Sequence, residues 1–182
     1  MKRLTSIYLT IVCLALIAGL TSCVGWDPNK EQKEEEQVKI TIERFMEKDP
    51  SLKKFFDQAY GYVVFPNAGK GAYIVGGGYG TGIVYEQGNS IGYSTIMEAS
   101  VGLQIGGQVF SEIIFFKDKY TLDYFKQGNY EFTAQASAVA VNMGVAANHD
   151  YHEGVAVFTL PKGGLMAEVS VGGQKFTFEP KQ

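Results

Sequence analysis

This sequence has little of what most active sites are made from. Its 182 residues include two histidines and two cysteines. Both histidines, His149 and His152, fall in one short segment, and two ligands three residues apart do not make a metal shell. No serine lies in a G-x-S-x-G context, which leaves a Ser/His/Asp nucleophile without its scaffold. An excess of positive charge is missing too. Sixteen basic residues stand against 19 acidic ones, a net charge of −3, which excludes a general nucleic-acid binder. Glycine is abundant, yet Gly76–Gly82 (GGGYGTG) has no G-x-G-x-x-G spacing, and Gly69-Lys70 lacks both the earlier glycine and the following Ser/Thr of a P-loop. The expectation is a protein that is not an enzyme, with no metal and no cofactor.

One long apolar run is present, and it opens the chain. Lys2 and Arg3 precede an almost wholly apolar stretch from Leu4 to Leu20, closed by Leu20-Thr21-Ser22-Cys23. The pattern resembles a bacterial lipoprotein signal peptide with its lipobox. Small residues before Cys23 admit the peptidase, and the thiol takes up a diacylglyceryl group. An uncleaved anchor and an ordinary secretory signal are the alternatives. The expected organisation is a signal peptide over 1–22, acylated Cys23 and a tether over 23–36, and one folded domain over 37–182. Processing leaves 14 basic against 19 acidic residues and no free thiol. Each buried CH₂ of an acyl chain contributes about 0.8 kcal/mol, so two or three chains hold the domain at a membrane by themselves.

The tether, Val24 to Glu36, combines Gly, Pro and a charge run. Val38, Ile42, Phe45 and Met46 then form a helical stripe. Asp49-Pro50 breaks and restarts the helix, with Asp49 as cap and Leu52, Phe55 and Phe56 on the next apolar face. From Tyr60 the period becomes two. The sequence predicts short strands: Tyr60–Phe65 stopped by Pro66-Asn67, then Tyr73–Gly78, Gly82–Glu86, Ile91–Met97, Ser100–Gln108 and Val109–Phe116. Asp118–Gln127 reads as a helix capped by Asp118, with Leu122 and Phe125 inward and Gly128 as its stop. Phe132–Val141 alternates small residues and reads as a strand. Asn148–Gly154 reads as a polar turn before a strand Val155–Leu160. Gly172-Gly173 reads as a hairpin turn that sets Val169 opposite Phe176 on a buried face.

The expected fold class is α+β: two N-terminal helices and one internal helix on a strongly bent, largely antiparallel, Gly-rich sheet. Thirteen of 22 glycines lie between Gly61 and Gly107, where they let a sheet coil tightly or another element approach. Lys53-Lys54 beside Phe55-Phe56 pairs basic heads with aromatic anchors, as a membrane-facing surface would, and Lys70 beside glycines is a further headgroup candidate. An amphipathic helix packing its phenylalanines on the sheet explains the same four residues.

Gly61-Tyr-Val-Val-Phe-Pro66, Gly69-Lys70-Gly71, the block 76–82, Ala99–Gly107, the Leu122–Phe125 helix and Gly163-Gly164-Leu165 together resemble the SYLF domain, the Las17-binding, actin-regulator type, across about residues 50–180. The resemblance implies a lipid- or membrane-binding module; its bacterial members are secreted lipoproteins. In eukaryotic members a basic N-terminal helix meets phosphoinositides. The matching Asn29–Lys48 holds five basic residues and six acidic ones, so charge alone predicts weak binding to anionic vesicles. Two functions follow. One is a non-enzymatic lipid- or membrane-binding module of the bacterial cell envelope, possessing a phosphoinositide-like headgroup site and anchored through Cys23, with Lys53, Lys54, Phe55, Phe56 and Lys70 as contacts. The other is a scaffold that binds another envelope protein.

Overall fold

A computed structural model describes residues 29–72, 75–128, 131–133 and 139–181. Helix α1 runs Lys30–Lys48 and buries Val38, Thr41 and Phe45 along one side. The Thr41 hydroxyl donates to the Gln37 carbonyl of its own helix at 2.8 Å, so this polar group is buried without an outside partner. A 3-10 turn, Pro50–Leu52, leads into α2, Lys53–Gln58. Asp49 caps it by accepting from the Ser51 amide at 3.0 Å and the Ser51 hydroxyl at 2.6 Å. Helix α3 runs Lys119–Lys126; the Asp118 carboxylate accepts from the Thr121 amide at 2.9 Å, and Gly128 takes φ +73° at its end. The caps and the inward Leu122 and Phe125 lie where local chemistry puts them.

The strands are far longer than the sequence predicts. They are β1 (Gly61–Ala72), β2 (Val75–Glu86), β3 (Asn89–Phe116), β4 (Glu131–Thr133), β5 (Val139–Ala140) and β6 (Val155–Pro180). Pro66-Asn67 does not stop β1. The register against both neighbours shifts there as a bulge, and the Ser111 hydroxyl donates to the Pro66 carbonyl at 2.7 Å. Gly172-Gly173 is not a turn. β6 passes straight through it, pairing Gly172 with Ser100 and Gly173 with Ala99, so Val169 and Phe176 lie on one strand and do not face each other. Val169 pairs with Leu103, and buried Phe176 pairs with Ile96. A glycine pair suits a tight turn, but a full-length partner strand holds it extended just as well. Of the expected strand Phe132–Val141, residues 134–138 lie outside the described residues, and β4 and β5 take its two ends. The polar turn before β6 is present, with Glu153 at φ 50° and Gly154 at φ 82°.

The order is β1-β2-β3-β6-β4, with β5 beside β6 in a parallel pairing and an added pairing of β1 with β3. The first half of β3 pairs with β2 and the second half with β1, so β3 flanks both sides of the β1–β2 hairpin and the sheet folds back on itself. One face is thereby enclosed. Phe65 of β1 meets Phe176 of β6 across it, ring centres 5.7 Å apart, and Phe125 of α3 closes one end against Phe116 and Phe176. The outer face at that same end packs Ile113, Phe115 and Phe158 beneath Val38 and Phe45 of α1 and Phe55 of α2. The core is thus two apolar layers separated by one sheet.

Gly82 shows how tightly the enclosed layer is closed. A Cβ there would come within 2.5 Å of the Val64 carbonyl oxygen and 2.7 Å of the Phe65 ring. This is close backbone approach, which only glycine permits.

Candidate functional site

The α2 residues singled out by sequence meet protein on almost every side. Phe55 is buried between Phe115, Phe158 and Tyr151, with ring centres 5.4, 4.9 and 5.3 Å away. Phe56 packs edge-on to Phe115 at 4.8 Å and Tyr62 at 5.3 Å. In this fold the two phenylalanines dock the helix and do not form an outward anchor. Lys54 donates to the Ala147 carbonyl at 3.0 Å and the His149 carbonyl at 2.8 Å, which binds α2 to the loop between β5 and β6. Lys53 is exposed and paired with Asp57 at 2.6 Å, one helical turn on. A cluster of adjacent Lys-Lys-Phe-Phe wraps around a helix, so its cations and its rings point different ways. Lys70 stands far off in β1, opposite Gly78 and Gln108. Cys23 lies outside the described residues.

The loop that Lys54 holds is built on Asp49. Its buried carboxylate also accepts from the Ala146 amide at 2.8 Å. Burial pushes this carboxyl's pKa up, but hydrogen bonds from the Ser51 hydroxyl and from the Ala146, Ser51 and Gly144 amides outweigh that and hold it below the usual carboxylate range. His149 sits against Phe55 and Phe158, and burial, then the Lys54 charge, push its imidazole down. His152 is exposed. Among the described residues no three His, Cys, Asp or Glu side chains converge on a point that would hold a metal. Inside the sheet the buried Glu112 carboxylate accepts from the Gln174 side-chain amide at 3.2 Å, a polar tie across the enclosed face.

An uncovered apolar row lies at the other end of the sheet. Met97 of β3 pairs with Tyr79 of β2, Tyr79 with Gly69 of β1, and Gly69 with Val109 in the second half of β3. The relative exposures of Met97, Tyr79 and Val109 are 40%, 62% and 43%. A Cβ built on Gly69 meets nothing within 4 Å, so among the described residues nothing roofs the row at its middle. One step away on the opposite face, a Cβ on Gly80 would strike the Asn67 carbonyl at 2.7 Å and Ile96 at 2.9 Å. The same strands are therefore sealed inside and bare outside. α1 and α2 cover the outer face near Ile113 and Phe115 and leave this row uncovered. The sequence search missed the row because Met97, Tyr79 and Val109 are far apart in the chain, and only the register joins them.

Residues 97–181 match the family model Ysc84, described as Las17-binding protein actin regulator. The matched segment begins at Met97 in the bare row and takes in the rest of β3, α3, β4, β5 and all of β6. Beta cell expansion factor A of Aeromonas veronii is 28% identical over 134 residues, which is 73% of this chain and 51% of that protein. The chain spans about half the length of that curated relative.

Proposed function

We propose that this chain is a non-enzymatic membrane-binding module of the bacterial cell envelope, tethered by acyl chains on Cys23 and touching lipid with the bare outer face of its SYLF-type domain. The Met97–Tyr79–Val109 row carries this reading. Scattered exposed apolar side chains are ordinary, but an apolar row joined by register on one sheet face, with Lys175 opposite Met97 at its end, is a contact surface. Tyr79 fits the edge of a bilayer, where amphipathic rings settle at headgroup level. Similarity to a family whose members meet membranes agrees with it. The α2 lysines are engaged with Asp57 and with loop carbonyls, so the lipid contact is apolar and does not depend on a headgroup.

Vesicle flotation of the chain from residue 24 onward, produced without acyl chains, tests the reading. Binding is expected to persist at physiological salt because the row is apolar, with at most a modest preference for anionic vesicles from Lys175, which pairs with Met97 at its end. A chain that stays with the soluble fraction, or that instead co-purifies stoichiometrically with one envelope protein, overturns it in favour of a scaffold. The tether is tested separately. Cys23→Ala is expected to leave an uncleaved or mislocalised precursor; normal maturation and membrane fractionation of this variant would remove the lipoprotein anchor from the proposal.

A further inference from the structure

The bare row holds one atom that chemistry can rewrite in place. Met97 brings a thioether sulfur, and Tyr79 and Val109 bring none. A leucine there would supply similar apolar area, but a thioether also carries a lone pair that peroxide attacks. Four methionines follow the tether: Met46, Met97, Met143 and Met166. The structure describes the side chains of the first three, and their settings differ. Met46 packs from α1 onto the outer apolar layer. Met143 is 84% exposed on the loop between β5 and β6, in a turn where the Val145 amide donates to the Asn142 carbonyl at 3.1 Å. Met97 is 40% exposed in the row, with Tyr79 on one side and Lys175 on the other. Exposure selects the methionines that oxidise, so peroxide reaches Met97 and Met143 ahead of Met46. Met97 stands in the proposed contact. Met143 belongs to the loop that Asp49 holds at the covered end, and serves as an internal control.

We infer that Met97 is an oxidation site through which peroxide releases this sheet face from lipid. The inference rests on the membrane reading above and names a means of regulating that same surface. The step balances with hydrogen peroxide alone. The sulfur lone pair attacks one peroxide oxygen, an S–O bond forms as the O–O bond breaks, and after proton transfer water leaves. The thioether loses two electrons and becomes a sulfoxide, and the peroxide gains them. A flexible apolar side chain thereby becomes a polar one. Its new oxygen is a hydrogen-bond acceptor, which water satisfies and hydrocarbon does not. Paired cross-strand residues hold their Cβ atoms about 4.5–5.5 Å apart, so the change falls beside Tyr79, the most exposed side chain of the row. Contact and oxidation then oppose each other. Lipid over Met97 shields the sulfur, and oxygen on the sulfur disfavours lipid. Methionine sulfoxide reductases reverse the step, so the surface is restored as well as lost.

The test uses the unacylated chain from residue 24 onward, which keeps every described residue, with phosphatidylcholine vesicles. Brief hydrogen peroxide treatment is followed by peptide mass spectrometry and by flotation. In the free chain Met97 and Met143 are each expected to gain one oxygen. With vesicles bound, Met143 should oxidise at the same rate and Met97 several times more slowly. Complete oxidation of Met97 should weaken vesicle affinity about tenfold or more, the scale of one apolar side chain lost from a contact, with the unfolding midpoint unchanged. Reductases for both sulfoxide epimers should restore it. Met97→Leu should float equally before and after peroxide, whereas Met143→Leu should lose flotation as the native chain does. Loss of flotation by oxidised Met97→Leu would overturn the inference, as would full flotation of a native chain completely oxidised at Met97. So would a fall in unfolding midpoint large enough to explain the loss. A floating chain whose Met97 oxidises as fast as in the free chain keeps membrane binding but removes Met97 from the contact. A chain that does not float before treatment removes the membrane reading and the inference together.

Discussion

The two ends of strand β3 obey opposite rules. At the helix-covered end it is apolar on both faces: Phe110, Ile114 and Phe116 turn to the enclosed side, and Ile113 and Phe115 lie outward beneath α1 and α2. A strand covered on both sides should read as a continuous apolar run, and Ile113–Phe116 does. At the glycine-rich end no helix among the described residues lies over exposed Met97 and Val109. One end has its hydrophobic partner within the described residues. The other end leaves an apolar row exposed, and the proposed lipid contact rests on that difference.

Substitution at the two ends should therefore separate stability from binding. Phe176 is buried against Phe65 and Phe125, with ring centres 5.7 and 5.5 Å away. Phe176→Ala is expected to cost about 3–5 kcal/mol in denaturant unfolding. Tyr79→Ala, at the bare row, is expected to stay within about 0.5 kcal/mol, as exposed sites do, while weakening vesicle flotation. Equal stability losses at the two positions would erase the distinction between a self-covered end and an uncovered one.

Two glycines on neighbouring strands sharpen the same contrast. Gly82→Ala drives a methyl into the Val64 carbonyl oxygen and the Phe65 ring, and neither can yield without moving the sheet. A loss of about 1–3 kcal/mol is expected, the usual range for overpacking. Gly69→Ala adds the same methyl to open space and should leave the unfolding midpoint nearly unchanged. A large cost at Gly69 would mean that its outer side is not bare.

How far the sequence reveals these two ends depends on how local the signals are. The helices are legible because their caps are local: Asp49, Asp118 and Gly128 each act on residues within a few positions. Strand continuity is not legible, since glycine and Pro66-Asn67 read as punctuation until a long partner strand is seen to run past them. Pro66-Asn67 also exchanges the faces of β1, so that inward Val63 and Phe65 are followed by inward Ala68, and no single period survives it. At α2 the residue types of Lys53–Phe56 are equally those of a membrane anchor and of a docking helix, and only the positions of Phe115, Phe158 and the 147–149 carbonyls separate the two.

The helix-covered end depends on one buried carboxylate for its loop, and the bare row has no counterpart. Asp49→Ala removes the cap of the 3-10 turn and strands the Ala146 amide, so a loss of about 0.5–2 kcal/mol is expected by thermal or denaturant unfolding. Vesicle binding by the folded variant should be unchanged, because Asp49 lies on the covered end. Loss of binding without loss of stability would place the lipid contact at the helices instead.

The smallest expected effect is a pH dependence confined to the covered end. Burial against Phe55 and Phe158, then the Lys54 charge, lower the His149 pKa in the folded chain, whereas the unfolded chain keeps the ordinary value of about 6.5. Above that value the imidazole is neutral in both states and adds no pH dependence. As the pH falls through it, the unfolded chain takes up the proton first, so stability declines until the folded imidazole also protonates. The window lies above that in which Asp49 and Asp118 titrate, since hydrogen bonds hold both carboxyls below the usual range. Unfolding midpoints measured at about pH 7.5 and about pH 5.5 should therefore fall slightly for the native chain and stay level for His149→Phe, which keeps a ring beside Phe55 and Phe158. Met97, Tyr79 and Val109 lie away from the covered end, so vesicle binding should be the same at both values. A binding step that follows the His149 titration would tie the two ends together, and would replace a bare apolar row with a contact that the α2 loop controls.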